Sequence, residues 1–165
     1  MSSSSSRAGM LLGWLSITTL GTCALPATAG SVHELSRAPQ IVSVTQGGQA
    51  TASIVLETRA VAVKETGPKL TVAKFGEVYG FSPTFFVVQE NQPTRIRFWN
   101  LQPDDAHDFE LLGPHAHQLV ALALPPLSDV SAIFDFHRPG LYTFRCTLHQ
   151  PEMNGQILVV AAAHR

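Results

Sequence analysis

The segment Cys146-Thr147-Leu148-His149-Gln150-Pro151-Glu152-Met153 gathers a thiol, an imidazole and a thioether, and His107 supplies a second imidazole upstream. Soft thiolate and thioether donors favour Cu(I), and imidazole suits either oxidation state. One Cys and two His in a trigonal plane, with a weak axial Met, are the ligand combination of a mononuclear copper centre for one-electron exchange. Two other chemistries fit less well. A cysteine nucleophile and its base usually lie far apart in sequence, and residues three apart at a strand-to-loop turn rarely point at each other as such a pair must. A zinc site takes four strong ligands, and here three are strong.

Something rigid must position these residues. From Lys69 onward the sequence reads as strand, turn, strand. Residues 70–75 alternate, 79–83 form a bend, 85–88 are aromatic and β-branched, and Glu90-Asn91-Gln92-Pro93 makes a turn. Residues 94–100 alternate again, with Ile96 and Phe98 on one face and Arg95, Arg97 and Trp99 on the other. Further strands are expected at 109–112 and 129–136, and Pro139-Gly140 turns the chain into 141–146. Residues 155–161 close the sheet, so the ligand segment hangs between two strands. The tract 119–127, with Pro125-Pro126, reads as a loop with a helical turn covering one end. Such regular short strands predict an all-β protein, an antiparallel Greek-key sandwich or barrel.

Residues 30–68 read as an N-terminal extension. Within it, 40–45 alternate like an edge strand, Gly47-Gly48 is a turn, and 51–63 suit a long strand or a helix. Thr66-Gly67-Pro68 is a clear break, which places the recognisable domain at 69–165.

Residues 1–29 have the pattern of an export signal: a Ser-rich start with Arg7, a mostly apolar run over 10–25, and Ala27-Thr28-Ala29 at the cleavage positions. A periplasmic or otherwise exported protein is expected, with cleavage after Ala29. The apolar run is short for a membrane span, so stable membrane insertion is not expected. Leu20-Gly21-Thr22-Cys23 is similar to a lipoprotein attachment site, but Thr22 suits that site poorly and lipid anchoring at Cys23 is the less favoured reading. Cleavage leaves Cys146 as the one thiol. An unpaired Cys in an oxidising compartment calls for an explanation, and metal coordination supplies one. From Gly30 onward ten Lys and Arg face twelve Asp and Glu, a net charge of −2. That balance argues against a nucleic-acid surface and a polybasic membrane patch.

Several motifs together resemble the cupredoxin family, the plastocyanin, azurin and amicyanin type of small blue-copper protein. Tyr79-Gly80-Phe81-Ser82-Pro83 and Arg95-Ile96-Arg97-Phe98-Trp99-Asn100 look like its opening strands, and 101–109, centred on His107, look like its first-ligand loop. Pro139-Gly140-Leu141-Tyr142-Thr143-Phe144-Arg145-Cys146 and the segment to Gly155 are similar to its last-but-one strand and its ligand loop. The resemblance covers about residues 69–160. It implies copper held by His107, Cys146 and His149 in the plane and by Met153 on the axis.

Two departures bear on that assignment. Three residues separate His149 from Met153, a gap between the shorter amicyanin-like and the longer plastocyanin-like loops. This leaves Glu152 as a competitor whose carboxylate would give a harder, nitrosocyanin-like red site. Asp108 stands where many members carry Asn; an ionised carboxylate accepts hydrogen bonds but donates none to the thiolate, and its charge favours Cu(II).

The family reading implies a monomeric one-electron carrier, not an enzyme, shuttling between a redox donor and acceptor such as cytochromes or an oxidase or reductase. The exposed edge of His149 would lie in an apolar patch formed by Leu148, Pro151 and Met153. The alternatives are a copper storage or delivery protein and a metal-free interaction module. Met153 is the one Met beyond the signal region, which disfavours storage. His115 and His117, two apart, offer a second, weaker metal site if the segment is extended. His33, His137 and His164 read as surface residues.

Overall fold

The computed structural model describes residues 41–162. The expected export signal, Cys23, His33 and His164 lie outside the described residues. In chain order the elements are β1 (Val42–Thr45), β2 (Ala52–Ala62), α1 (Lys69–Phe75), β3 (Val78–Ser82), β4 (Phe85–Gln89), β5 (Thr94–Asn100), β6 (His107–Leu112), β7 (Gln118–Leu124), β8 (Ser128–Phe136), β9 (Gly140–Arg145) and β10 (Asn154–Val160). They form two five-stranded sheets, ordered β1-β8-β5-β2-β3 and β4-β10-β9-β6-β7. The all-β sandwich is the expected fold class. Most neighbours are antiparallel, but β2 runs parallel to β5 and β4 parallel to β10.

Alternation explains why these segments are strands. In β5, Thr94, Ile96, Phe98 and Asn100 are buried, while Arg95, Arg97 and Trp99 face outward. The inward residues of both sheets meet in an aromatic core. Phe98 and Phe109 lie 4.7 Å apart between ring centroids, Phe109 and Phe144 5.4 Å, and Phe81 and Phe144 5.3 Å. Such pairs contribute about 0.5–1.5 kcal/mol each beyond the area they bury. Gly155, opposite Phe144 in the β9–β10 register, leaves room for that ring; a Cβ there would sit 2.2 Å from Phe144 Cζ and 2.5 Å from the Thr84 carbonyl oxygen.

Three expectations are corrected. The sandwich does not begin at Lys69: β1 and β2 belong to it, and β2 lies between β5 and β3. Its alternation is blurred because Val55 is only half-buried and Val61 is exposed, while Leu56 and Thr58 point into the core. Residues 70–75 are helix and not strand. They bury no residue and have no sheet partner, so their hydrogen bonds close locally from the Pro68 carbonyl to the Gly76 N–H, where Gly76 has φ 81°. The tract 119–127 is mostly strand β7, paired antiparallel to β6, and Pro125-Pro126 lie just past its end. Among the described residues no helix is long and apolar enough to cross a membrane.

Candidate metal centre

The fold brings His107, Cys146 and His149 together at one end of the second sheet. His107 opens β6, Cys146 directly follows β9, and β6 and β9 are hydrogen-bonded neighbours. Residues 146–153 link β9 to β10 and carry His149 and Met153. Nδ1 of His107 and Nδ1 of His149 are 3.1 Å apart, and the Cys146 sulfur lies 3.5 Å from His149 Nδ1 and 3.9 Å from His107 Nδ1. These three residues are the group among the described residues that could hold a metal ion.

The donor triangle fits such an ion. Bonds of about 2.0–2.3 Å to two nitrogens and a sulfur in one plane would set the donors roughly 3.5–3.8 Å apart, within about half an ångström of each observed separation. His107 is 2% exposed. Burial, and then the charge of His149, lowers its pKa from 6.5 to about 4, against the pull of Asp105 and Asp108. The imidazole is therefore neutral near pH 7 and its lone pair is available. Burial pushes the Cys146 thiol up, while backbone hydrogen bonds from Asp108 and Leu148 favour the thiolate. A cation at the centre of the triangle would supply the remaining stabilisation.

The loop is braced from within. The Cys146 N–H donates to the Met153 carbonyl at 2.9 Å and the Met153 N–H to the His149 carbonyl at 3.0 Å. Gln150 Nε2 donates to the carbonyls of Cys146 and Met153 at 2.7 and 3.0 Å. Met153 is completely buried, whereas Glu152 is exposed. Asp108 fastens this loop to β6 purely as an acceptor, as its chemistry requires: Oδ1 takes the Thr147 N–H at 2.6 Å and Oδ2 takes the Thr147 hydroxyl.

Sequence reasoning missed Tyr79, Asn100, Thr147 and Gln150. Tyr79 packs its ring on both imidazoles and donates its hydroxyl to Asp105. Burial first, and the Asp105 hydrogen bond second, raise its pKa far above the ordinary tyrosine value. Asn100 is buried; its amide donates to the carbonyls of Asp105, Leu124 and Pro125, and Thr58 donates to its Oδ1. Its place at the end of a predicted strand was the one available hint. His115 and His117 do not share one side of an extended segment. They flank Ala116 at a tight 3-10 turn with His115 at φ 61°, both are exposed, and His117 Nδ1 donates to the Pro114 carbonyl at 2.5 Å.

No protein-family model matches the sequence, and no curated protein matches it. Solved structures do. A multicopper oxidase is 14% identical with a TM-score of 0.53, covering 68% of this chain and 45% of that one. A copper nitrite reductase from Nitrosomonas europaea is 11% identical with a TM-score of 0.53, covering 70% of this chain and 51% of that one. This chain thus spans about half the length of each. Auracyanin A, a "blue" copper protein from Chloroflexus aurantiacus, is 19% identical with a TM-score of 0.47, covering 66% of this chain and 98% of that one. At these identities the likeness to the first two establishes the fold alone.

Proposed function

We propose that this chain, a sandwich with the cupredoxin fold, is a one-electron carrier with a type 1 copper centre held by His107, Cys146 and His149 and completed on the axis by Met153. The convergence of two Nδ1 atoms and one sulfur carries the reading. Copper, when bound there, supplies one-electron exchange between Cu(II) and Cu(I). The protein's part is to hold the donors in place. His107 and Cys146 are fixed at the ends of adjacent strands, and Gln150 and Asp108 brace the loop that presents His149. Little rearrangement is then needed between the two states.

The burial of Met153 beside an exposed Glu152 supports a thioether over a carboxylate as the axial donor. Leu148, 60% exposed in the ligand loop, and half-buried His149 offer a small surface for brief contact with a redox partner. Export through cleavage after Ala29 remains part of the proposal. It is supported by the charge and apolar pattern of residues 1–29 and by the single thiol that cleavage would leave.

Titration with Cu(II) tests the reading. One equivalent per chain and an intense thiolate-to-copper band in the visible are expected, and Cys146→Ser should abolish the band. An unchanged spectrum in that variant would remove the assignment.

A further inference from the structure

In the reading above His107 is a ligating imidazole that meets the other donors through Nδ1. Such a ring almost always gives its second N–H to a carboxylate, a carbonyl or water. Here Nε2 is buried with no hydrogen-bond partner among the described residues. Tyr79 packs against the ring. Tyr79 reaches the site from β3, is 3% exposed, and places its ring centroid 5.1 Å from that of His107 and 4.6 Å from that of His149. Its hydroxyl donates to Oδ2 of Asp105 at 2.5 Å. Asp105 is itself fixed, because Asn100 Nδ2 donates to its backbone carbonyl at 2.8 Å.

Of the three carboxylates near His107 in the chain, Asp104, Asp105 and Asp108, the charges of Asp105 and Asp108 reach the imidazole. Carboxylate oxygen is a harder donor than thiolate or thioether and would draw the site towards Cu(II) and a tetragonal geometry. Both groups are engaged elsewhere. Asp108 is taken by Thr147 of the ligand loop, and Asp105 is taken by a hydroxyl from a different strand. Glu152, the acid that the sequence points to as a competitor, is exposed.

We propose that Tyr79 is a positioning residue of the metal centre: its ring orients both imidazoles, and its hydroxyl keeps the Asp105 carboxylate out of the coordination sphere. The inference rests on the copper reading above. It makes Asp105, and not Glu152, the donor that would harden the site.

The copper-loaded protein tests it with Tyr79→Phe and the double variant Tyr79→Phe/Asp105→Asn. Tyr79→Phe keeps the ring and releases the carboxylate. The thiolate band should weaken and the electron paramagnetic resonance spectrum should turn more tetragonal. Cu(II) should gain about tenfold over Cu(I), the low end of what outer-shell partners are worth, which is a fall of about 59 mV for a one-electron couple. The double variant should recover the parental spectrum. The thermal midpoint of the metal-free proteins separates packing from this effect: any loss in Tyr79→Phe should persist in the double variant while the spectrum returns. A Tyr79→Phe protein with parental spectrum and potential overturns the proposal, and so does a double variant that keeps the altered spectrum. A parental protein with no thiolate band overturns the copper reading itself, and this inference with it.

Discussion

Two histidine-containing clusters stand at opposite ends of the sandwich: His137 with Ser43 and Asn91 at one, His107 and His149 with Cys146 at the other. Strand β8 spans the distance: Ser128 pairs with Asn100 near the ligand loops, and Phe136 pairs with Val42 at the other end. At the far end His137 is saturated. Its Nε2 lies 3.0 Å from the Ser43 hydroxyl and its Nδ1 lies 3.1 Å from Asn91 Oδ1, so that edge strand β1 is tied to the β4–β5 turn. At the near end two imidazole nitrogens and a sulfur face one another, and His107 Nε2 has no partner among the described residues. A structural histidine satisfies both nitrogens with donors and acceptors. A ligand set instead aims several lone pairs at one point, an arrangement that is costly in a buried place unless a cation occupies it. By that criterion the far site is a brace and the near one has the donor arrangement of a ligand set, although the far one has the order Ser–His–Asn that a nucleophile and its base would show.

Substitutions at the two ends should therefore differ in kind, and the largest contrast is in metal binding. His107→Ala should lower Cu(II) affinity by at least about 100-fold, since even outer partners of a ligand are worth about 10–100-fold. His137→Ala should leave affinity unchanged; equilibrium copper titration of the two variants decides. Equal losses would erase the distinction.

The next largest effect lies between the ends, beneath the ligand loop. Gly155→Ala drives a methyl against Phe144 and the Thr84 carbonyl, and overpacking of this kind costs about 1–3 kcal/mol or more. Denaturant unfolding of the metal-free protein should show it, and a loss under about 0.5 kcal/mol would mean that the strands shift easily.

Acid should act through the near end. The folded pKa of His107, about 4, lies below the unfolded value of 6.5. The unfolded chain thus binds more protons in that interval. Stability is complete above about pH 6.5 and is lost as the pH falls through about 4, by up to about 3 kcal/mol. Unfolding of the metal-free protein across this window measures it. His107→Gln should flatten the slope, whereas an equally steep slope in that variant would place the acid sensitivity elsewhere.

The smallest effect belongs to Ser43→Ala, which removes one hydrogen bond from the brace. About 0.5–1.5 kcal/mol should be lost with no change in the copper spectrum. A spectral change would couple two ends that the structure keeps apart.

What could be read in the sequence follows the same physics. Cys146, His149 and Met153 are legible because one short loop holds them all, and β5 because its alternation is clean. Tyr79 is not. It reaches the imidazoles by crossing from β3, and no local pattern records a contact made at a distance of 28 and 70 residues along the chain. β2 stays open between strand and helix in the sequence because apolar residues on its outer side blur the period. α1 alternates like a strand but has no strand to pair with, and β7 was obscured by prolines that lie beyond its end.

X-ray absorption at the copper edge of the reconstituted protein tests the central claim most directly. The structure predicts one copper per chain with two imidazole nitrogens and one sulfur at short distance, in both the parental protein and His137→Ala. A shell of nitrogen and oxygen alone, with no short sulfur, would contradict it.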